Sequence, residues 1–263
     1  MSTIIYQSPI FGPVHSRRLG LSLGINLQPG DGKVCTFDCV YCECGFNADH
    51  RPHSRRPSRE EVAKCLEIKL REMDERGEHP DVLTFAGNGE PTAHPDFAAI
   101  IDDTLALRDT FAPKARVSVL SNATMLHRDD VHAALLRVDN NIQKLDTVDP
   151  SYIRRVDRPV QPSYDVRAVI EQLKRFEGHV VIQTLFMKGI TTTSGSPVDV
   201  DNTGDRYVLP WLAAVREIAP REVMIYTIDR ETPDPGLVKA TPAELNRIRD
   251  LVIAAGIPCS ASY

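Results

Sequence analysis

Short apolar segments alternate with longer amphipathic ones along nearly the whole of this 263-residue chain, and that rhythm narrows the possible folds most. LSLGINL (21–27), DVLTFAG (81–87), RVSVLSN (116–122), NIQKLDT (141–147), HVVIQTLFM (179–187) and EVMIYTID (222–229) read as strands. The helical partners are SREEVAKCLEIKLREMDERG (58–77), HPDFAAIIDDTLALRD (94–109), HRDDVHAALLRV (127–138), SYDVRAVIEQLKRFEG (163–178), DRYVLPWLAAVREI (205–218) and TPAELNRIRDLVIAAG (241–256). In the first helix Ser58 and Glu61 have capping-box spacing, Val62, Leu66 and Met73 share a face, and Gly77 ends the run. Strands that alternate with helices make parallel βαβ units, so the fold class is α/β. Six units suit either an open doubly wound sheet or a partial (β/α)6 TIM-like barrel, and periodicity does not separate these. No repeat, low-complexity stretch or linker interrupts the pattern. One domain is therefore expected over 1–263, with 1–20 as an extension, 21–235 as core and 236–263 as closing helix and tail. Residues 187–204 read as the one long unstructured connection, placed to act as a lid or as part of a substrate site.

The working edge of either architecture is the C-terminal end of its strands. Chemically unusual residues gather there: cysteines after the first strand, GNGEPT after the second, Ser121-Asn122 at the third, Asp146 at the fourth and Asp229-Arg230 at the sixth. No run approaches the eighteen apolar residues of a bilayer span, and no membrane partner is expected. The opening MSTIIYQSPIFGPVHSRRLG lacks the pattern of a secretory leader, which makes a cytoplasmic location the expectation. In that reducing setting clustered cysteines bind metal or do chemistry rather than pair as disulfides. A formal net charge of −5 argues against a surface built wholly for nucleic acid, with HRPHSRRPSR (50–59) as a local basic exception.

Four of the six cysteines fall within VCTFDCVYCECG (34–45). Cys35, Cys39 and Cys42 are spaced C-x3-C-x2-C. Thiolates suit iron–sulfur clusters or zinc. A structural zinc site usually takes two separated pairs, and here Cys44 would have to supply the fourth ligand. A catalytic dithiol would use only Cys39 and Cys42. Three thiolates on a four-iron cluster would leave one iron open to an external ligand.

CTFDCVYC resembles the signature of the radical S-adenosylmethionine (SAM) superfamily. The resemblance implies that Cys35, Cys39 and Cys42 hold a [4Fe–4S] cluster whose fourth iron is chelated by SAM. One electron then cleaves SAM to methionine and a 5′-deoxyadenosyl radical, which abstracts hydrogen from a substrate. GNGEPT (87–92) is similar to the family's glycine-rich segment, which implies that Gly87, Asn88, Gly89 and Glu90 hold the methionine end. The same residues read alone as a tight βα turn. LSNAT (120–124) and KLDTVD (144–149) sit where relatives place SAM contacts, implying roles for Ser121, Asn122 and Asp146, which serve equally well as ordinary caps. Tyr41 is implied to help seat the adenine. Six βα units match the family's partial barrel. FGPVHSRRLGLSLGIN (11–26), GNGEPTAHPDF, RVDRP (155–159) and IYTIDR (225–230) resemble the group related to wybutosine-synthesis proteins. Those enzymes act on tRNA with a second cluster on cysteines ahead of this motif, and no cysteine precedes Cys35.

The reading so obtained is an enzyme that needs a [4Fe–4S] cluster, SAM, and an electron donor such as flavodoxin or ferredoxin, acting on an unidentified small molecule or a tRNA base. A glycyl-radical activase of a partner protein is the alternative within the same chemistry. A zinc-binding nucleic-acid or protein interaction module is the alternative outside it. Arg158 and Arg230 stand at strand ends, where a carboxylate or phosphate would be held. Arg17, Arg18, His15 and Arg155 carry no such preference. Cys44 reads as a partly buried thiol, Cys65 as core, His94 as a structural partner, and Asn26 as pointing into the barrel towards substrate, whereas Cys259 reads either way.

Overall fold

The computed structural model describes residues 3–16, 20–193 and 195–263. Its strands are β1 (Ile10–Ser16), β2 (Gly20–Ile25), β3 (Val82–Phe85), β4 (Arg116–Ser121), β5 (Asn140–Lys144), β6 (Val181–Leu185), β7 (Met187–Thr191), β8 (Val198–Asp199), β9 (Glu222–Tyr226), β10 (Leu237–Lys239) and β11 (Cys259–Ser262). The helices are α1 (Arg59–Glu75), α2 (Phe97–Phe111), α3 (Asp129–Leu135), α4 (Pro150–Val156), α5 (Val166–Lys174), α6 (Asp205–Ile218) and α7 (Pro242–Ala254).

The main sheet runs β1-β2-β3-β4-β5-β6-β9-β11, and every neighbouring pair from β2 onward is parallel. This order separates the two architectures. A doubly wound sheet reverses its strand order at a switch point, whereas here each strand joins the same growing edge. Right-handed crossovers then put every helix on one side, and the sheet curls into a partial barrel. Leu23, Ile25, Leu83, Phe85, Val117, Val119, Ile182, Val223 and Ile225 are buried in the hydrophobic core shared with the helices. The alternate positions Ser22, Thr84, Leu120, Ile142, Gln183 and Met224 face the lumen and line a cavity.

Three expectations change. The 187–204 stretch is not unstructured: β7 pairs antiparallel with β8 and with β10, from beyond β9. That pairing is invisible to local periodicity because the partner lies far along the chain. Residues 150–156, assigned to neither a strand nor a helix along the chain, form α4, whose Asp149 side chain caps Ser151 N at 2.8 Å and Tyr152 N at 2.9 Å ahead of Pro150. An antiparallel strand, β1, precedes the first unit, and the tail supplies a seventh parallel strand, β11. Cys259 lies on that strand, half-buried against the core. Cys65 is only half-buried, because Val62, Leu66, Leu70 and Met73 form the inner face of α1. Among the described residues no helix is long and apolar enough to cross a membrane.

Trp211 anchors α6 to the sheet. Its Nε1 donates to the Leu145 carbonyl at 2.9 Å and its ring meets Phe186 edge-on at 5.3 Å. Trp211→Phe should cost about 2 kcal/mol, from a lost hydrogen bond and lost volume, because Thr184 still donates to the same carbonyl. A urea titration checks this as a lowered midpoint with unchanged slope.

Candidate active site

The cysteine loop is clamped from two sides. On one side Val34 N donates to the Asn88 carbonyl at 2.9 Å, and Val34 bridges Gly89. On the other, the segment after α4 pairs with the loop: Val40 N to the Val156 carbonyl and Val160 N to the Thr36 carbonyl, both at 2.9 Å. Asn47 Nδ2 reaches back to the Cys35 and Phe37 carbonyls at 3.3 and 3.1 Å. Gly89 has φ +140°, and a Cβ there would fall on the Val34 carbonyl. The close approach of the two loops requires glycine at that position.

Each of the three spaced thiols has a distinct setting. Asn122 Nδ2 donates to Cys35 Sγ at 3.6 Å, and burial pushes the Cys35 thiol up to about 12. Lys144 Nζ donates to Cys39 Sγ at 3.4 Å, against a burial effect that raises this thiol well above its ordinary value. A hydrogen bond from Cys44, helped by the Lys33 ammonium, holds Cys42 down at about 6. Lys33 is 3 % exposed, donates to the Gly45 carbonyl at 2.5 Å and lies 3.7 Å from Asp38. Burial opposes its charge, but Cys42, Cys35, Cys39 and Asp38 together hold its pKa above the usual value.

The expected partners of the loop come together around it. Glu90 is buried and raised by that burial; it accepts from Thr92 N at 3.0 Å and Asn122 N at 2.7 Å, tying the glycine turn to the end of β4. Asn88 turns away, clamping Tyr6 O and Pro29 O at 2.8 Å each. Ser121 Oγ accepts from Ala123 N at 3.1 Å, and Asn122 Nδ2 also donates to Thr36 Oγ1 at 2.8 Å. The Tyr41 hydroxyl donates to Asp146 and, at 3.2 Å, to Asp157. Asp146 also accepts from Leu185 N at 3.0 Å. Arg158 adopts φ +51°, pairs with Asp38 at 3.2 Å and lies over the Phe46 ring. Asn26 does not face the lumen: it is fully buried and spent on Tyr6 O, Gln7 O, Gln28 N and Asn88 N. His94 is structural, bonding the Pro57 carbonyl at 2.9 Å and Asp96 N at 3.1 Å. Arg17 and Arg18 lie outside the described residues.

Two of the four arginines in the basic stretch pair with carboxylates of this chain. Arg55 pairs with Glu61 at 2.6 Å and Arg59 with Asp103 at 2.7 Å, while Arg56 reaches Gln28 at 2.9 Å and the Ala93 carbonyl at 3.2 Å. Lys33, Lys144 and Asp157 escaped the sequence reading. Lys144 was findable, since alternation puts it on the same strand face as Ile142 and Asp146.

A cavity of about 620 Å³ fills the barrel lumen. Tyr41, Cys42, Cys44 and Gly87 close its cysteine end, and Tyr6, His15, Asp229, Arg230 and Thr232 surround its other polar region. Arg230 donates to Glu43 at 2.9 Å and to the Tyr6 hydroxyl at 3.2 Å. Cys44 Sγ donates to the Gly87 carbonyl at 3.4 Å, so it is a buried thiol in contact with the cavity.

Residues 31–193, more than half of the chain, match the radical SAM superfamily. The chain belongs to that superfamily. A "UPF0026 protein" of Helicobacter pylori is 31% identical over 191 residues, which cover 71% of this chain and 59% of that protein. A UPF0026 protein of Methanocaldococcus jannaschii is 32% identical over 190 residues, covering 71% and 56%. The aligned region therefore spans under two thirds of these relatives. A radical SAM methyltransferase from Sphaerobacter thermophilus has the same fold at TM-score 0.65 and 15% identity, covering 92% of this chain and 66% of that one. A TYW1 structure with a lysine–pyruvate adduct matches at TM-score 0.61 and 13% identity, covering 89% and 73%.

As a radical SAM protein this chain is an enzyme that uses a [4Fe–4S] cluster and SAM. The donor set fits that cluster: three thiols on one braced loop, with an amide, a buried ammonium and a thiol hydrogen bond directed at them. The non-enzymatic zinc module is overturned by the family match.

Proposed function

We propose that this enzyme abstracts hydrogen from an anionic small molecule held in the lumen, with Cys35, Cys39 and Cys42 as the cluster ligands. Held by those three thiols, the cluster would supply the one electron needed for reductive cleavage of bound SAM. The observation that carries the reading is the cavity, which joins Cys42 and Gly87 to Arg230 and His15 in one space. Tyr41 and Gly87 line it and would touch SAM directly. Asn88, Gly89, Glu90, Ser121, Asn122, Asp146 and Arg158 act behind them, holding the turn, the strand ends and the loop in register. Arg230, half-exposed and paired with Glu43, would meet a substrate carboxylate or phosphate. A flavodoxin or ferredoxin would deliver the electron, in the cytoplasm.

The pairing of Arg55 and Arg59 with carboxylates of this chain favours a small molecule over tRNA.

The test is anaerobic reconstitution with iron and sulfide, dithionite reduction, EPR with and without SAM, and chromatography for 5′-deoxyadenosine. A reduced four-iron signal that shifts with SAM, together with 5′-deoxyadenosine, is expected. A signal indifferent to SAM would sink the reading. Uncoupled 5′-deoxyadenosine formation then provides a screen: carboxylated or phosphorylated candidates should accelerate it, and neutral ones should not.

A further inference from the structure

Lys144 lies at the centre of a buried polar knot that the sequence reading did not anticipate. Its ammonium donates to Asp157 Oδ1 at 2.9 Å and to Cys39 Sγ at 3.4 Å, and it forms an ion pair with Asp146 Oδ2 at 2.9 Å. The Tyr41 ring lies 4.3 Å from the same nitrogen, and Phe37 lies 5.6 Å away. The Lys144 side chain is 15% exposed, Asp146 1% and Asp157 4%. In so dry a setting a charge next to sulfur is weakly screened. Both carboxylates are held in turn, Asp146 by Leu185 N and both by the Tyr41 hydroxyl. The lysine is therefore held in position with an N–H directed at the sulfur.

We propose that Lys144 is a positioning residue that raises the reduction potential of the cluster by donating a charge-assisted hydrogen bond to Cys39. This rests on the assignment of Cys39 as a cluster ligand. Reduction adds one negative charge to the cluster. A fixed cation and a hydrogen bond at a ligand sulfur stabilise the more negative state and ease electron entry. The two carboxylates work the other way: they hold the lysine in place and offset part of its charge.

The experiment is an EPR-monitored redox titration of the reconstituted holoenzyme without SAM, at one fixed pH for all variants. Lys144→Met keeps the stem and removes the charge. At the wild-type midpoint it should lower the ratio of reduced to oxidised cluster at least tenfold, equivalent to 59 mV for a one-electron couple. Asp157→Asn removes a negative charge and should move the ratio in the opposite direction. Lys144→Arg, which keeps the charge, should stay nearer the wild type than Lys144→Met. A Lys144→Met midpoint that is unchanged or raised overturns the proposal. If that variant fails to load iron, an unshifted midpoint in Asp157→Asn overturns it. Iron content of Cys39→Ala reads the underlying assignment separately, since a full four-iron load there would remove Cys39 from the ligand set whatever the lysine variants do.

Discussion

Cys39→Ala is expected to abolish the reduced-cluster EPR signal and to lower SAM-dependent 5′-deoxyadenosine formation by more than about 100-fold, beyond what loss of an outer partner costs. Cys39 lies in the middle of the braced loop and faces Lys144. Its replacement leaves two thiols where the cluster needs three. The apoprotein should stay folded: deleting one sulfur atom from a buried site costs about 1 kcal/mol. Far-UV circular dichroism and iron content, measured on the same preparation, separate the two effects. Cys65→Ala, on the half-exposed side of α1, is the matched control and should retain full iron. A Cys39→Ala protein with wild-type EPR and turnover would overturn the ligand assignment.

Gly89→Ala should be the most damaging small substitution in the fold. At φ +140° any L side chain is strained, and here the new methyl group would strike the Val34 carbonyl, one residue before Cys35. Backbone strain and overpacking together cost about 2–5 kcal/mol. The melting temperature should fall by roughly 10 °C. Because the clash displaces the start of the cysteine loop, iron loading should fall with it. Gly77→Ala gives the comparison. Its φ is +68° and nothing lies within 4 Å of the added Cβ, so the cost is strain alone, about 1 kcal/mol. If both variants melt alike and load iron alike, the loop contact is not what Gly89 serves.

Most of the architecture and part of the site were legible along the chain. The strand–helix alternation reports local hydrogen bonding and one buried face, which repeat at fixed periods and survive in any fold. The cysteine spacing likewise reports a chemical need that one short loop can meet alone. Gly87–Glu90 stood out by their place one unit after the cysteine loop, since a glycine turn after a strand is by itself ordinary. Their separate jobs did not, since Asn88 and Glu90 spend their side chains on Tyr6, Pro29, Thr92 and Asn122 rather than pointing into the cavity. Asn26 misled for the same reason: its partners lie at residues 6, 7 and 88, and no strand register names them.

The sequence by itself determined that this chain alternates strands and helices and carries three thiols fit for a cluster after its first parallel strand. Periodicity left barrel and open sheet undecided, and the family resemblance pointed to the barrel. The strand order of the tertiary structure bears the barrel out, since that depends on which edge each strand joins. The tertiary structure alone paired β7 with β10, added β11 to the sheet, and brought Lys144 against Cys39 and Asp157 against Lys144. Each of these joins residues distant in sequence, where packing and charge rather than local periodicity choose the partner.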